Sequence, residues 1–207
     1  MQAFATPVAR CPYPEAAAVR DVLTEAVLSR LGEGKVFGYK QETSRDLTTW
    51  GVAELDALTG WVGRMTRQLV EKLAGVPLGE AFARSAGREG EGAGVRAAGI
   101  VASRSWASVY RAGDRHAAHF HPNTAWSAIY YLTAPGVCEL DLLDPRPVGY
   151  FDAGIVFAGE DQRMRLSCSP GDLVIIPGWL RHEVPEFQDD EVRISLSWNL
   201  NYSLHRG

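Results

Sequence analysis

His116 to Leu132 read HAAHFHPNTAWSAIYYL, and the rest of the chain is organised around this stretch. It holds three of the five histidines, and two of them, His119 and His121, are separated by a single residue. On an extended strand, residues two apart point the same way. His119 and His121 can therefore grip one metal from one backbone segment. Downstream, GDLVIIPGWLRHEVP (Gly171 to Pro185) offers His182 at the end of a buried apolar strand, and Arg193 follows eleven residues later in RISLSWN. Neutral imidazole suits iron, zinc, copper or nickel, whereas magnesium and calcium prefer oxygen ligands. Three protein ligands leave open coordination positions. The expectation is an open transition-metal site, iron foremost, with a cationic anchor for an anion.

For an isolated histidine, capping a strand or bonding a backbone carbonyl is the better reading; an HxH pair with a distant third histidine favours metal. His116 lies three residues before His119, on the opposite face of a continuing strand, and is given an outer-sphere or structural role. His205 near the C-terminus is expected to be solvated.

The strand from Arg193 separates by parity. Arg193, Ser195, Ser197 and Asn199 share one face; Ile194, Leu196, Trp198 and Leu200 share the other. The apolar face needs a core. A buried guanidinium on the polar face needs an anion, and a carboxylate ligand would meet it with two parallel hydrogen bonds. An internal ion pair with Asp141 or Glu139 stays open as the alternative. In SWASVY, Trp106, Ser108 and Tyr110 also share a face, where the Tyr110 hydroxyl either bonds the same ligand or is satisfied in the core. Trp126, Trp179, Tyr130 and Tyr131 are candidates for an apolar pocket or for core.

Working outward, SWASVY, AAHFH, WSAIYYL, CELDLL, RMRLSC, DLVIIP and RISLSWNL are short strand-like runs punctuated by Gly, Pro and Asp, the pattern of an antiparallel sandwich or barrel. Two helices precede them. One, over 14–31, has Val19, Val22, Leu23, Ala26 and Val27 on a stripe; the other, over about 52–74, has Leu58, Trp61, Val62, Met65, Leu69 and Leu73, and is stopped by Gly75 and Pro77. The five glycines from Gly87 to Gly99 suggest a surface loop, a connector before a lid. One domain over 1–207 is expected, with a helical part over about 1–99 and a β core over about 100–203.

A net charge of −4 gives no footprint for a polyanion, which argues against nucleic acid. Cys11, Cys138 and Cys168 have no metal-binding spacing, and their odd number argues against a disulfide framework. The opening residues show no leader pattern, and no run approaches the roughly 18 apolar residues of a membrane span. A cytoplasmic protein with a small-molecule substrate, no membrane partner and at most a homodimer is the expectation.

The segments HAAHFHPNTAWSAIYYL, DPR (Asp144 to Arg146), GDLVIIPGWLRHEV and RISLSWN resemble the 2-oxoglutarate and iron(II)-dependent oxygenases. The similarity is to the bacterial branch whose motifs run HxxHxHPxS, SGxYY, DPR, SWxxHxV and RISxSFN. It covers Trp106 to Asn199, and the opening AFATPV is similar too. The resemblance implies a double-stranded β-helix, a jelly roll of cupin-like form, flanked by helices. It implies Fe(II) on His119, His121 and His182, with 2-oxoglutarate chelating the metal and its distal carboxylate at Arg193 and Ser195; Tyr110 and Asn199 complete the expected cosubstrate site. The implied activity uses dioxygen to oxidise a C–H bond, by default hydroxylation of an amino acid or natural-product intermediate, with release of succinate and carbon dioxide.

Two departures stand out. His121 occupies a position that is Asp or Glu in most of the superfamily, which raises the formal charge of the Fe(II) site from +1 to +2 and leaves room for a nearby acid such as Asp114. Ala128 replaces the branch's glycine, and Thr124 and Gly178 replace its serines, changes expected to adjust the pocket. The rival readings are a three-histidine cupin-type dioxygenase or isomerase without 2-oxoglutarate, and a jelly-roll binding domain without catalysis.

Overall fold

The computed structural model describes residues 5–37, 39–86, 95–145 and 163–206. Strand β1 (Ala9–Pro12) and helix α1 (Ala16–Leu28) open the chain, followed by a short hairpin, β2 (Lys35–Val36) and β3 (Gln41–Glu42). Helices α2 (Ala53–Ala74) and α3 (Leu78–Ala86) come next. The remaining strands are β4 (Val95–Tyr110), β5 (His116–His119), β6 (Trp126–Thr133), β7 (Glu139–Leu143), β8 (Arg163–Ser167), β9 (Asp172–Pro177), β10 (His182–Val184) and β11 (Arg193–Arg206). They form a seven-stranded sheet, order β1-β9-β6-β11-β4-β3-β2, and a four-stranded sheet, order β5-β10-β7-β8. Every pairing is antiparallel. The jelly roll with flanking helices is therefore the architecture, as the strand pattern and the resemblance led one to expect.

The period-2 alternation of the central strands sorts side chains into two cores. From β11, Ile194, Leu196 and Trp198 enter one cluster, joined by Ala107 and Val109 of β4, Ala128 and Tyr130 of β6, and Leu173 and Ile175 of β9. Facing them are Val19, Leu23 and Val27 of α1 and Leu55, Leu58, Trp61 and Val62 of α2. Burying each large apolar side chain is worth about 1.5–3 kcal/mol, so this layer ties the helices to the sheet. The Trp198 indole N–H also donates to Thr59 Oγ1 at 3.2 Å. The opposite rows, Tyr110, Ile129, Tyr131, Val174 and Ile176, meet Leu140 and Leu142 of β7, Val184 of β10 and Phe187 in a second cluster.

Both expected helices are present with narrower stripes: Val22 on α1 and Leu73 on α2 are exposed, since each lies at the edge of its apolar arc. Gly75 ends α2 in the left-handed conformation (φ 70°), with its N–H bonded to Glu71 O. Helix α3 and the β2–β3 hairpin were not anticipated. Strand β4 begins at Val95, and residues 87–94 of the glycine-rich segment lie outside the described residues, as does Arg146. Among the described residues no helix is long and apolar enough to cross a membrane.

Candidate active site

Three imidazoles converge at one end of the sandwich. His119 closes β5 and His182 opens β10, and the antiparallel register sets them directly opposite one another. His121 lies just beyond β5, where its backbone N–H donates to Gly178 O at 2.8 Å and pins it beside the turn that leads to β10. The ring nitrogens of the three lie within 4.8 Å of one another, a grouping that could hold a metal ion. Nδ1 of His119 is 2.8 Å from Ala117 O, and Nδ1 of His182 is 2.9 Å from Leu180 O. A carbonyl can only accept, so both Nδ1 atoms carry the proton and each Nε2 keeps its lone pair. Nε2 of His121 and Nε2 of His182 approach to 3.4 Å.

Burial keeps these rings neutral. Desolvation, aided by neighbouring imidazoles, holds His121 down to about 4 and His182 to about 3, and it lowers His119 as well. At neutral pH all three present lone pairs, as a soft or borderline cation requires.

His116 corrects the parity expectation. It does not face away from His119; the two rings stack with centroids 3.7 Å apart. The reason is a β-bulge: His119 pairs with His182 but His116 pairs with Val184, so β5 carries one extra residue and the alternation breaks. His116 thereby joins the cavity lining.

Sequence reasoning also missed Lys40 and Glu42. The β2–β3 hairpin extends the large sheet, and Glu42 on β3 pairs with Ser108 on β4. Both charged side chains are buried, Lys40 only 4% exposed. The ammonium is bonded to the Glu42 carboxylate and lies 3.0 Å from Nδ1 of His116. Burial and then the Lys40 charge lower His116 to about 2. The local signal, a Lys-x-Glu alternation in KQETS, was present but carries no meaning without the contact 76 residues away.

Deeper in the cavity the β11 register sets Arg193 opposite Tyr110, Ser195 opposite Ser108 and Tyr131, and Ser197 opposite Trp106 and Ile129. All of these line the same cavity as the histidines. Asn199, expected in the cosubstrate site, is one step beyond that lining, opposite Arg104 and Ser127. Arg193 is 2% exposed and sits between the rings of Tyr110 and Tyr131, at 5.0 and 5.2 Å. Its Nη1 donates to the main-chain O of Glu139 at 3.3 Å, while Nε has no partner. The Tyr131 hydroxyl is buried as well, beside the Cys168 thiol. Burial pushes the proton affinity of the Tyr110 hydroxyl well above the ordinary tyrosine value.

The internal ion pair considered for Arg193 is absent among the described residues. Asp141 takes Arg165 through two bonds of 2.7 Å and Arg163 at 3.3 Å, and Glu139 takes Arg165 at 3.0 Å. Asp114 accepts the backbone N–H of Arg111 and stands outside the metal-capable group. Tyr131 lines the cavity, Trp126 and Tyr130 pack toward the helices, and Trp179 is exposed. Ala128 also packs on the helix side, so that departure does not touch the cavity. Thr124 and Gly178 touch each other: a Cβ at 178 would come within 2.1 Å of Thr124 O. The His205 side chain lies outside the described residues.

Residues 104–199 match the model of a family described as "Putative 2OG-Fe(II) oxygenase". Among solved structures, the chain is similar to the epimerase SnoN from nogalamycin biosynthesis in complex with Fe3+, alpha ketoglutarate and nogalamycin RO. Identity is 16%, covering 97% of this chain and 82% of that one, with a TM-score of 0.61. It is similar to a Pseudomonas putida prolyl-4-hydroxylase (16% identity, 98% and 94% covered, TM-score 0.53). It is also similar to the carbocyclase SnoK from nogalamycin biosynthesis (13% identity, 98% and 83% covered, TM-score 0.57). At these identities the likeness is one of fold. No curated protein matches the sequence.

Proposed function

We propose that the chain, whose residues 104–199 match the 2OG-Fe(II) oxygenase model, uses Fe(II) and 2-oxoglutarate to oxidise a C–H bond of a small molecule. His119, His121 and His182 hold the iron, and Arg193, Ser195 and Tyr110 receive the distal carboxylate of the cosubstrate. What carries this reading is the cation at the bottom of the cavity: Arg193 is buried and its Nε has no partner. An unpaired buried guanidinium is costly, and a carboxylate fits it in charge and in the geometry of its donors.

Bound together, Fe(II) and 2-oxoglutarate supply the oxidising power of dioxygen, with succinate and carbon dioxide released. The chain's own part is to bind, orient and keep dry. The backbone carbonyls of Ala117 and Leu180 fix the tautomers of His119 and His182. Tyr110 and Tyr131 clamp the Arg193 guanidinium between their rings. Ile129, Leu140 and Val184 line the same cavity with apolar surface that disfavours bulk water.

Hydroxylation of an amino acid or natural-product intermediate is the outcome we take first. The epimerase and carbocyclase among the similar folds act in a natural-product pathway, which supports the small-molecule class and keeps rearrangement in view as the second outcome. We treat residues 1–207 as one domain, since β1, β2 and β3 of the N-terminal part join the same sheet as the core strands. A cytoplasmic location suits three unpaired thiols.

The test is anaerobic titration with Fe(II) and 2-oxoglutarate, followed by the weak visible charge-transfer band of a chelated keto acid. The band should appear in the wild type, and Arg193→Ala should weaken 2-oxoglutarate binding by about 2–5 kcal/mol. Iron binding without a band would hand the lead to the three-histidine cupin reading; no iron binding would leave a binding domain.

A further inference from the structure

The Lys40–Glu42 pair has no part in the reading above, yet Lys40 lines the same cavity with Glu42 buried beside it. Two charges out of water are hard to justify by stability alone, because an apolar pair of similar volume is often as stable. We propose that Lys40 is the second cation of the cosubstrate site and takes the carboxylate adjacent to the keto group of a 2-oxo acid, while Arg193 takes the far carboxylate. This rests on the oxygenase reading and adds to it a residue outside the matched segment 104–199.

An ammonium has three N–H donors. Those of Lys40 meet the Glu42 carboxylate and His116 Nδ1 at 3.0 Å, and no third acceptor is found among the described residues. One donor remains for a ligand. Position favours the metal end of the cavity, since Lys40 lines it and meets His116, whose ring stacks on that of His119 with centroids 3.7 Å apart. Reach fits as well: Lys40 Nζ is 6.0 Å from the Tyr110 ring centroid, and Arg193 Cζ is 5.0 Å from the same centroid. The two cations are therefore no farther apart than those distances combined, which an extended five-carbon diacid with a contact of about 2.8 Å at each end can span.

Charge supplies the reason for the arrangement. Three neutral imidazoles give a divalent metal no negative ligand, so the keto acid must bring the anion. A lone ammonium beside that metal would be repelled; Glu42 offsets its charge until the carboxylate arrives.

Two probes separate the ends of the site: 2-oxoglutarate, and pyruvate, which keeps the keto acid and lacks the far carboxylate. Affinities for both are read anaerobically from the visible band on the Fe(II)-loaded protein, with Fe(II) affinity measured in parallel. Arg193→Gln should weaken 2-oxoglutarate and leave pyruvate unchanged. Lys40→Gln should weaken both by about 10-fold or more, the loss expected of one charge-assisted hydrogen bond, with Fe(II) affinity retained. The double variant Lys40→Gln/Glu42→Gln should remain weakened, because the contact is lost and no unpaired Glu42 is left to repel the ligand. Wild-type pyruvate affinity in Lys40→Gln, or recovery of wild-type affinity in the double variant, overturns the assignment while the oxygenase reading stands. Iron binding with no band from either acid in the wild type overturns both.

Discussion

His182 is the residue on which the proposed metal site turns. It is 3% exposed, its Nδ1 is tied to Leu180 O, and its Nε2 is the one that meets His121. Replacing it with alanine removes one of three imidazoles without touching either strand ladder of β11. His182→Ala should therefore lower iron affinity by more than the roughly 10–100-fold typical of losing an outer-sphere partner. Far-UV circular dichroism should stay unchanged, and unaltered iron content in the purified variant would remove His182 from the site. The HxH pair and Arg193 were legible because their spacing carries the information locally. Lys40 and Glu42 were not, because their meaning comes from His116 and Ser108, contacts that no local pattern encodes. His116 was misplaced for a narrower reason: parity counts residues, and a bulge adds one.

At the scale of elements, β7 and β8 hold the small sheet's edge with charge as well as backbone pairing. Asp141 is fully buried between the half-exposed Arg163 and Arg165. Its hydrogen bonds to Arg165, followed by those to Arg163, hold its carboxyl below the ordinary aspartate range. A carboxyl depressed on folding adds stability above its unfolded value near about 4, and the contribution fades as pH falls through the lower folded value. Asp141→Asn should thus cost about 1–3 kcal/mol at pH 7, and the gap from wild type should narrow once the pH falls below the ordinary aspartate value of about 4. Urea midpoints at pH 7 and in acid measure it; a gap independent of pH would mean that packing, not charge, is lost. The sequence announced α1 and α2 through long apolar stripes. It hid α3, whose nine residues begin directly after the Gly75 and Pro77 that read as stop signals. It hid the β2–β3 hairpin as well, since two strands of two residues show no alternation.

Over the whole molecule, the large sheet turns one face to the helices and the other, with Arg193, to the candidate site. Leu58 of α2 is fully buried against the face away from the cavity. Leu58→Ala should destabilise by about 2–5 kcal/mol in chemical denaturation while iron stoichiometry remains that of the wild type; a parallel loss of iron would show that the two faces are coupled. This division was readable because the β11 alternation, Arg-Ile-Ser-Leu-Ser-Trp, prints both faces into one line of sequence. The register between sheets was not readable, and it is the register that matters in the end. The histidines come from the edge of the small sheet at β5 and β10, whereas Arg193 belongs to the centre of the large one. A diacid held at both ends would act as a rivet through the sandwich. Loss of the keto-side carboxylate as carbon dioxide would leave succinate held at the Arg193 end alone, so the two leaves of the protein would be cross-braced only until the keto acid is consumed.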